Sequence, residues 1–520
     1  MVHLHNGSWR LAPAGCFAKA FSAAGTQRSG QGAFLFKFGA ARVMLAPDKP
    51  GGRPMDFITR RRPIEPPAHA GHGLKPTLGW PHLVALGIGA IIGTGIYTLT
   101  GVAAGLAGPA VIVSFAVAGA VCACAALCYA EMATLMPQAG SAYTYSYAAL
   151  GELIAWVIGW SLILEYTLVC SAVSVGWAGY ASGLIQQAGW PIPAALLTGP
   201  ETGGIVNLPA VFIALAVTGL LLVGTRESAN VNFILVCVKL VALAAFVAIT
   251  LPHFDPAHFT PFAPFGFGAE QIGDHKFGMM GAAAIIFFAF YGFDAISTAA
   301  EEAKDPRRDL TIGIVGSMVA CTLIYMIVAA VALGASPFEV FSKSEEPLAF
   351  ILRELNRPVS ASLIAGAAVV AMPTVIMVFM FGQSRVFFAM ARDGLLPRRL
   401  SRVGPRGVPT AVTVLTGVIA AVIAGVLPLS EIASLANAGT LAAFIATISA
   451  VLVLRRRLPD LPRVFKAPAV WLIGPLGLLG CAYLFTSLTA KTITFFFAWN
   501  AVGVVVYLLY GRARSGLAQA

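Results

Sequence analysis

With 520 residues, 58% of them hydrophobic and 11% charged, and a mean hydropathy of +0.81, the chain is far too apolar for a soluble protein of several domains. It reads as an all-α integral membrane protein, since hydrocarbon tolerates a spanning backbone only where its polar groups are bonded internally. The 34 Lys and Arg against 23 Asp and Glu leave a net charge of +11; most of those basic groups fall on one side of the spans, so nucleic-acid binding is a poor explanation of them.

Residues 1–75 hold eleven basic groups, many Gly, Pro and Ala, and no apolar run long enough to span. The best stretch, 33–46, is interrupted by Lys37 and Arg42, which allows an interfacial helix at most. The tail lacks the ordered basic, apolar and small-residue blocks of a secretory signal. It is expected to be a mostly disordered cytoplasmic segment. Because residues 55–75 already supply a basic lead-in, translation from Met55, with 1–54 as an extension, is the competing expectation. The intact mass of the natively expressed protein decides between them.

Twelve windows low in charge then follow, at 82–105, 109–135, 151–184, 206–224, 228–251, 277–300, 310–335, 360–383, 408–428, 431–454, 469–490 and 492–511. Each is long enough to cross about 30 Å of hydrocarbon as a helix. Lys and Arg gather on the cytoplasmic side of short loops. With the N-terminus inside, the inward segments after residue 54 hold 21 basic groups and the outward loops 5, namely Lys276, Lys343, Arg353, Arg357 and Lys491. Both termini are therefore placed in the cytoplasm and the chain in the cytoplasmic (inner) membrane, with the lipid bilayer as its solvent. The expected layout is a core of helices 1–10 over residues 76–455, two peripheral helices over 456–511 and a cytoplasmic tail over 512–520.

Helix 1 contains Gly87-Ile-Gly89-Ala-Ile91-Ile-Gly93-Thr94-Gly95-Ile-Tyr97, with four glycines in nine residues. Each costs a helix interior about 1 kcal/mol relative to alanine, and backbone groups released in hydrocarbon find no water. A break there must line a cavity. Opening near Gly93, Thr94 and Gly95 turns the amides of the second half-helix toward the membrane centre, where the positive end of the helix dipole suits a carboxylate.

Helix 2 ends on Glu131 ahead of Pro137, and the inner loop beyond carries Tyr143, Tyr145 and Tyr147, which suit a membrane interface with wet hydroxyls. Glu131 is expected to anchor this loop or to gate it. Glu165 lies thirteen residues past Glu152, deep in helix 3. Lys239 stands twelve residues beyond Glu227 and thirteen before Pro252, about 18–20 Å of helix from either end at 1.5 Å per residue. A lysine stem cannot reach the interface from there, so Lys239 must face the bundle interior as a candidate proton carrier or as a permanent cation on backbone carbonyls. Glu165 and Lys239 are expected to share the proton, with a static ion pair between them as the alternative.

Helix 6 has a second interruption, Phe287-Phe288-Ala-Phe290-Tyr291-Gly292-Phe-Asp294, where bulky aromatics abut Gly292 and an acid follows within hydrocarbon depth. Helix 6 stands five helices after helix 1, and inverted repeats place broken helices at matching positions in each half. The expected fold is a 5+5 inverted-repeat core, helices 1–5 and 6–10, with helices 1 and 6 broken at the midplane. Such a site suits a zwitterion: the carboxylate on the amides of Gly93, Thr94 and Gly95 with the Thr94 hydroxyl, the ammonium on carbonyls near Ile91, Phe288 and Tyr291. The outer connections 252–276 and 336–358 are long, and the second has room for a short helix that could act as a lid. After helix 8, residues 382–397 read as an amphipathic continuation on the inner surface, stopped by Gly394 and Pro397.

Gly87 to Gly101, the loop from Tyr129 to Tyr147, Asn230 to Lys239 and the run from Gly292 to Leu310 resemble amino acid permeases of the amino acid–polyamine–organocation superfamily. The last run, with Arg385 to Pro397, is especially similar to the cationic amino acid transporter family, including its bacterial twelve-helix members. The resemblance covers about residues 75–511. It implies secondary active transport of an amino acid by alternating access, with residues 76–455 as the transport core. It also implies that Gly93-Thr94-Gly95 holds the substrate carboxylate and that Lys239 occupies the place of sodium in sodium-coupled cousins, hence proton coupling. Glu165 matches a glutamate associated with coupling, and Asp294 an acid near the substrate pocket. Neutral and cationic amino acids both remain open, as does exchange in place of symport.

A membrane enzyme is the reading from another class. Against it, no HExxH, Ser/His pair or phosphate loop stands at membrane depth, and the eight histidines lie in the tail, at the start of helix 1 or in an outer loop. Neither metal nor cofactor is expected, and the eight cysteines form no CxxC pair. A sensor that binds an amino acid without moving it is a third reading.

Overall fold

Long apolar runs that hold their polar backbone groups internally fold as helices, and helices make up almost all the regular structure. The computed structural model describes residues 60–64, 76–190, 193–223, 225–272, 275–404 and 408–519; the expectations for residues 1–59 and 65–75 lie outside these. In chain order the helices are α1 (Trp80–Ile91), α2 (Thr94–Tyr97), α3 (Leu99–Ala107), α4 (Val111–Leu135), α5 (Ala142–Ala149), α6 (Glu152–Gln187), α7 (Leu208–Val223) and α8 (Thr225–Thr250). A two-stranded antiparallel hairpin, β1 (Glu270–Ile272) with β2 (His275–Phe277), follows. Then come α9 (Met279–Ile286), a 3-10 turn (Phe287–Phe290), α10 (Phe293–Thr298), α11 (Pro306–Ala335), α12 (Phe338–Phe341), α13 (Pro347–Glu354), α14 (Pro358–Ala371), α15 (Pro373–Arg392), α16 (Thr410–Val426), α17 (Leu429–Arg457), α18 (Val470–Thr486) and α19 (Ala490–Val506).

Among the described residues eight helical stretches are long and apolar enough to cross a membrane, and four shorter apolar helices, α1, α7, α16 and α18, accompany them. The first predicted window, 82–105, is not one helix but the three pieces α1, α2 and α3. These pieces and the α9–α10 segment are walled in by α4, α6, α11, α15 and α17, which pack on them or on one another. Large apolar side chains left exposed, such as Phe212 on α7 and Leu479 on α18, mark a perimeter that suits lipid.

Two inner-side expectations are corrected. Residues 382–391 do not lie on the surface, which is reached only at Arg392: α15 runs on without a break, and Arg385 is buried, its guanidinium bonded to Glu302 at 3.0 and 3.2 Å and set 3.5 Å from the Phe381 ring. A counter-charge from a distant part of the chain removes the need for solvent. The helix stops where Gly394 takes φ +81°. The tyrosines of α5 are buried as well, and their hydroxyls are not wet: Tyr143 donates to Asp393 (2.8 Å) and Tyr147 to Glu152 (2.9 Å). The outer connection 336–358 does form short helices, and α13 lies on α3, where a Cβ at Gly101 would stand 3.1 Å from Pro347.

Candidate functional site

The two interruptions meet. The chain leaves α1 at Ile91, passes through Ile92 in extended conformation and Gly93 at φ −157°, ψ −139°, and restarts at Thr94. On the other side α9 tightens into the 3-10 turn, Tyr291 is extended, and Gly292 takes φ +117° before α10. A Cβ at Gly95 would lie 2.4 Å from the Cβ and 2.5 Å from the Cα of Ala289; one at Gly292 would lie 2.4 Å from the Cβ of Ala90. Each break thus presents a glycine to the backbone of the other. No larger residue fits at either contact.

Backbone groups released by a break must find partners when water is absent, and side chains from three neighbouring helices supply them. Lys239 on α8 extends its ammonium to Gly89 O (3.0 Å), Ile92 O (2.6 Å) and the Thr374 hydroxyl of α15 (2.7 Å). These are three acceptors for three N–H donors. The Tyr325 hydroxyl of α11 reaches both Ile91 O and Ala289 O. Asp294 accepts from the Gly292 amide (3.1 Å) and from the Tyr166 hydroxyl of α6 (2.9 Å), so its carboxylate caps the restart of the second helix.

Among the described residues, three buried hydroxyls of the segment after the first break have no hydrogen-bond partner, those of Thr94, Tyr97 and Thr98, and Thr94 stands at the break itself. Thr94 Oγ1 is buried and makes no hydrogen bond. Its side chain lies against Gly176 of α6, where a Cβ would come within 2.8 Å of that oxygen.

Of the residues singled out from the sequence, Ile91, Gly93, Thr94, Gly95, Phe288, Tyr291 and Asp294 all belong to this junction. Tyr291 turns its hydroxyl to Asn437 Oδ1 on α17, whose amide in turn donates to Ala284 O (3.0 Å). Glu165 and Lys239 are not hydrogen-bonded to each other: all three lysine bonds go elsewhere, so the static ion pair named as the alternative is absent. The Glu165 oxygens are buried with no hydrogen-bond partner, and Asp294 and Thr440 are among its polar neighbours.

Glu131 is placed apart, in the last turns of α4. It takes two bonds from Arg455 (2.8 and 2.7 Å) and one from the Ala467 amide (2.8 Å), with Arg463 Nε 3.1 Å away. It therefore ties α4 to the end of α17 and not to the tyrosine loop, which is held by Asp393, Glu152 and, at Ala139 N, Glu301. Glu131→Gln leaves two arginines short of their counter-charge, so a loss of about 3 kcal/mol is expected, that being the low end for breaking a buried pair. A lowered thermal midpoint in detergent with unchanged KM marks the structural role; an unchanged midpoint with altered KM marks gating.

Thr374, Tyr325, Tyr166 and Asn437 were not anticipated. The signal for Tyr325 was a phenol at mid-span, which requires a partner; for Thr374 it was a hydroxyl directly after Pro373 inside an apolar segment.

Residues 78–509 match the amino acid permease family. The chain belongs to that family. It is a permease of the amino acid–polyamine–organocation superfamily, close to the cationic amino acid transporters. It is 45% identical over 451 residues to a branched-chain amino acid permease of Bacillus subtilis, covering 86% of this chain and 95% of that one. It is 39% identical over 467 residues to a methylthioribose transporter of the same species, covering 89% and 99%. Against the vacuolar cationic amino acid transporter 2 of Arabidopsis thaliana it is 38% identical over 397 residues, covering 75% of this permease and 61% of the relative.

Proposed function

We propose that this permease carries amino acids across the cytoplasmic membrane by proton-coupled symport, with alternating access around the junction of the two broken helices. The observation that carries the reading is the reciprocal contact of Gly95 with Ala289 and Gly292 with Ala90. Amides from one break and carbonyls from both then face a single place, which is what a zwitterion needs. In this reading the chain has twelve spans, the first over residues 80–107 and the sixth over 279–298, in a 5+5 inverted repeat followed by α18 and α19. Both termini lie in the cytoplasm, as the basic excess on that side favours.

Each residue then has a task. The carboxylate rests on the amides of Gly93, Thr94 and Gly95 and takes the Thr94 hydroxyl, while the ammonium rests on carbonyls near Ile91, Phe288 and Tyr291. Asp294 shapes the restart of the second helix beside them. Lys239 and Glu165 handle protons at separate places. With three protons, Lys239 serves Gly89, Ile92 and Thr374 at once; with two it either releases one of them or takes the Thr374 proton away from Gly89 O and Ala371 O, and in either case the end of α1 loosens from α8 or α15. A proton is thereby linked to the mobility of a half-helix that touches substrate.

The leading substrate class is neutral and branched, supported by the 45% identity to a relative of that name. A cationic substrate is the second reading, favoured by the unpartnered oxygens of Glu165. Uptake of labelled leucine and of labelled lysine into proteoliposomes, with and without an inward proton gradient, separates them. Accumulation driven by the gradient supports symport. Gradient-independent exchange favours an antiporter, and binding without accumulation a sensor.

Thr94→Val is expected to weaken every amino acid about tenfold or more, the value of one hydrogen bond to a charged group, whatever the side chain. Competition constants across neutral and cationic amino acids check this. A loss that tracks side-chain type contradicts the carboxylate assignment.

A further inference from the structure

Among the described residues, Tyr325 is the one side chain with hydrogen bonds to the backbone of both interruptions. It sits within α11, fully buried, with its ring between Phe115 and Phe290 at centroid distances of 5.7 and 5.5 Å. Those rings set where its oxygen stands, and it stands between Ile91 O and Ala289 O, the latter at 3.0 Å. Ile91 ends the first half of one broken helix, and Ala289 lies in the 3-10 turn just before the restart of the other.

The donor count at this point does not balance. A phenol has one proton, and two carbonyls face it, so one of them lacks a donor at any moment. Among the described residues no other side chain and no loop amide donates to either carbonyl. A primary ammonium balances the set. It brings three N–H groups, two for the carbonyls and a third for a lone pair of the phenol oxygen, which can accept as readily as it donates.

We propose that Tyr325 is the positioning residue for the substrate amine, holding the Ile91 and Ala289 carbonyls together with its hydroxyl and then accepting a hydrogen bond from the amine that takes them over. The proposal rests on the amino acid reading above and deepens it. The carbonyls near Ile91 become a defined cradle with a third corner on α11, and selectivity for a free α-amine becomes a property of a residue outside both broken helices. The same hydroxyl reports loading to α11, because it gains an acceptor role when the amine arrives while its own proton stays on the second lone pair of one carbonyl.

Tyr325→Phe removes the oxygen and keeps the ring, and the test compares two competitors of labelled leucine uptake in proteoliposomes. These are leucine itself and 4-methylpentanoate, which is leucine without its amine; if lysine is the substrate, the pair is lysine and 6-aminohexanoate. The expected result is a fall of tenfold or more in the preference for the amino acid, with the constant of the des-amino analogue changed less than twofold. Equal weakening of both, or no change in either, overturns the proposal and leaves Tyr325 as a tie between helices. Should the variant not fold, 3-fluorotyrosine placed at 325 alone keeps the hydroxyl. Its fluorine resonance is expected to move on saturation with leucine and not with 4-methylpentanoate; no movement, or the same movement with both, overturns the proposal. A wild-type protein that neither binds nor takes up any amino acid overturns the transport reading itself, which is a different outcome.

Discussion

Lys239→Met is expected to abolish accumulation of amino acid against its gradient while leaving a folded protein in the membrane. Methionine keeps the length and the apolar stem, so the volume between α8 and α1 stays filled. What is lost is the titratable group and its three bonds, to Gly89 O, Ile92 O and Thr374. The Thr374 hydroxyl already lies 3.1 Å from Gly89 O and can keep that carbonyl bonded, so Ile92 O is the group left without a donor, at a cost of about 1–3 kcal/mol. A protein of this size tolerates that. The driven uptake ratio should fall to unity, a change of roughly a hundredfold if one proton accompanies each substrate at two pH units, since each unit is tenfold. Uptake should also become indifferent to the imposed gradient. Normal accumulation by the variant removes Lys239 from the coupling role.

Gly292→Ala is expected to eliminate binding of all amino acids alike. An L residue at φ +117° is strained by about 1–3 kcal/mol. Its Cβ would also meet the Cβ of Ala90 at 2.4 Å and its carbonyl carbon at 2.8 Å, the second being backbone that has no rotamer to change. Overpacking of this kind costs about 1–3 kcal/mol more, so the sum reaches roughly one and a half to four orders of magnitude in affinity. Gly95→Val acts at the mirrored contact, against the Cβ and Cα of Ala289. Gly316→Ala and Gly366→Ala are the controls, because nothing lies within 4 Å of a Cβ at either. Equilibrium binding to purified protein is the measurement. If Gly292→Ala binds as the controls do, the two breaks are not in the contact described.

Both interruptions were legible in the sequence because glycine marks them: four between Gly87 and Gly95, and Gly292 between aromatics and an acid. The depth of Lys239 was legible from its distance to the nearest polar positions on the same helix. Its partners were not, since the Gly89 and Ile92 carbonyls carry no side-chain signal and Thr374 is 135 residues away. Glu165 was the obvious acid to pair with it, yet the fold sets the two against different helices. Arg385 illustrates the converse. In sequence it opens a basic run, and only the arrival of Glu302 from 83 residues away converts it from a surface group to a buried one. Local pattern fixes where a helix breaks; which hydroxyl or amide then serves the freed carbonyl is a matter of tertiary packing. Tyr325 and Asn437 belong to that second class.

The central claim is that both ends of an amino acid are held by main-chain groups where the two helices are unwound. An experimental structure with bound leucine or lysine tests it most directly. The account places the carboxylate within hydrogen-bond distance of the amides of Gly93, Thr94 and Gly95 and of Thr94 Oγ1, and the amine on the Ile91 and Ala289 carbonyls. An amino acid bound elsewhere, or held there while residues 80–107 and 279–298 run as unbroken helices, would contradict it.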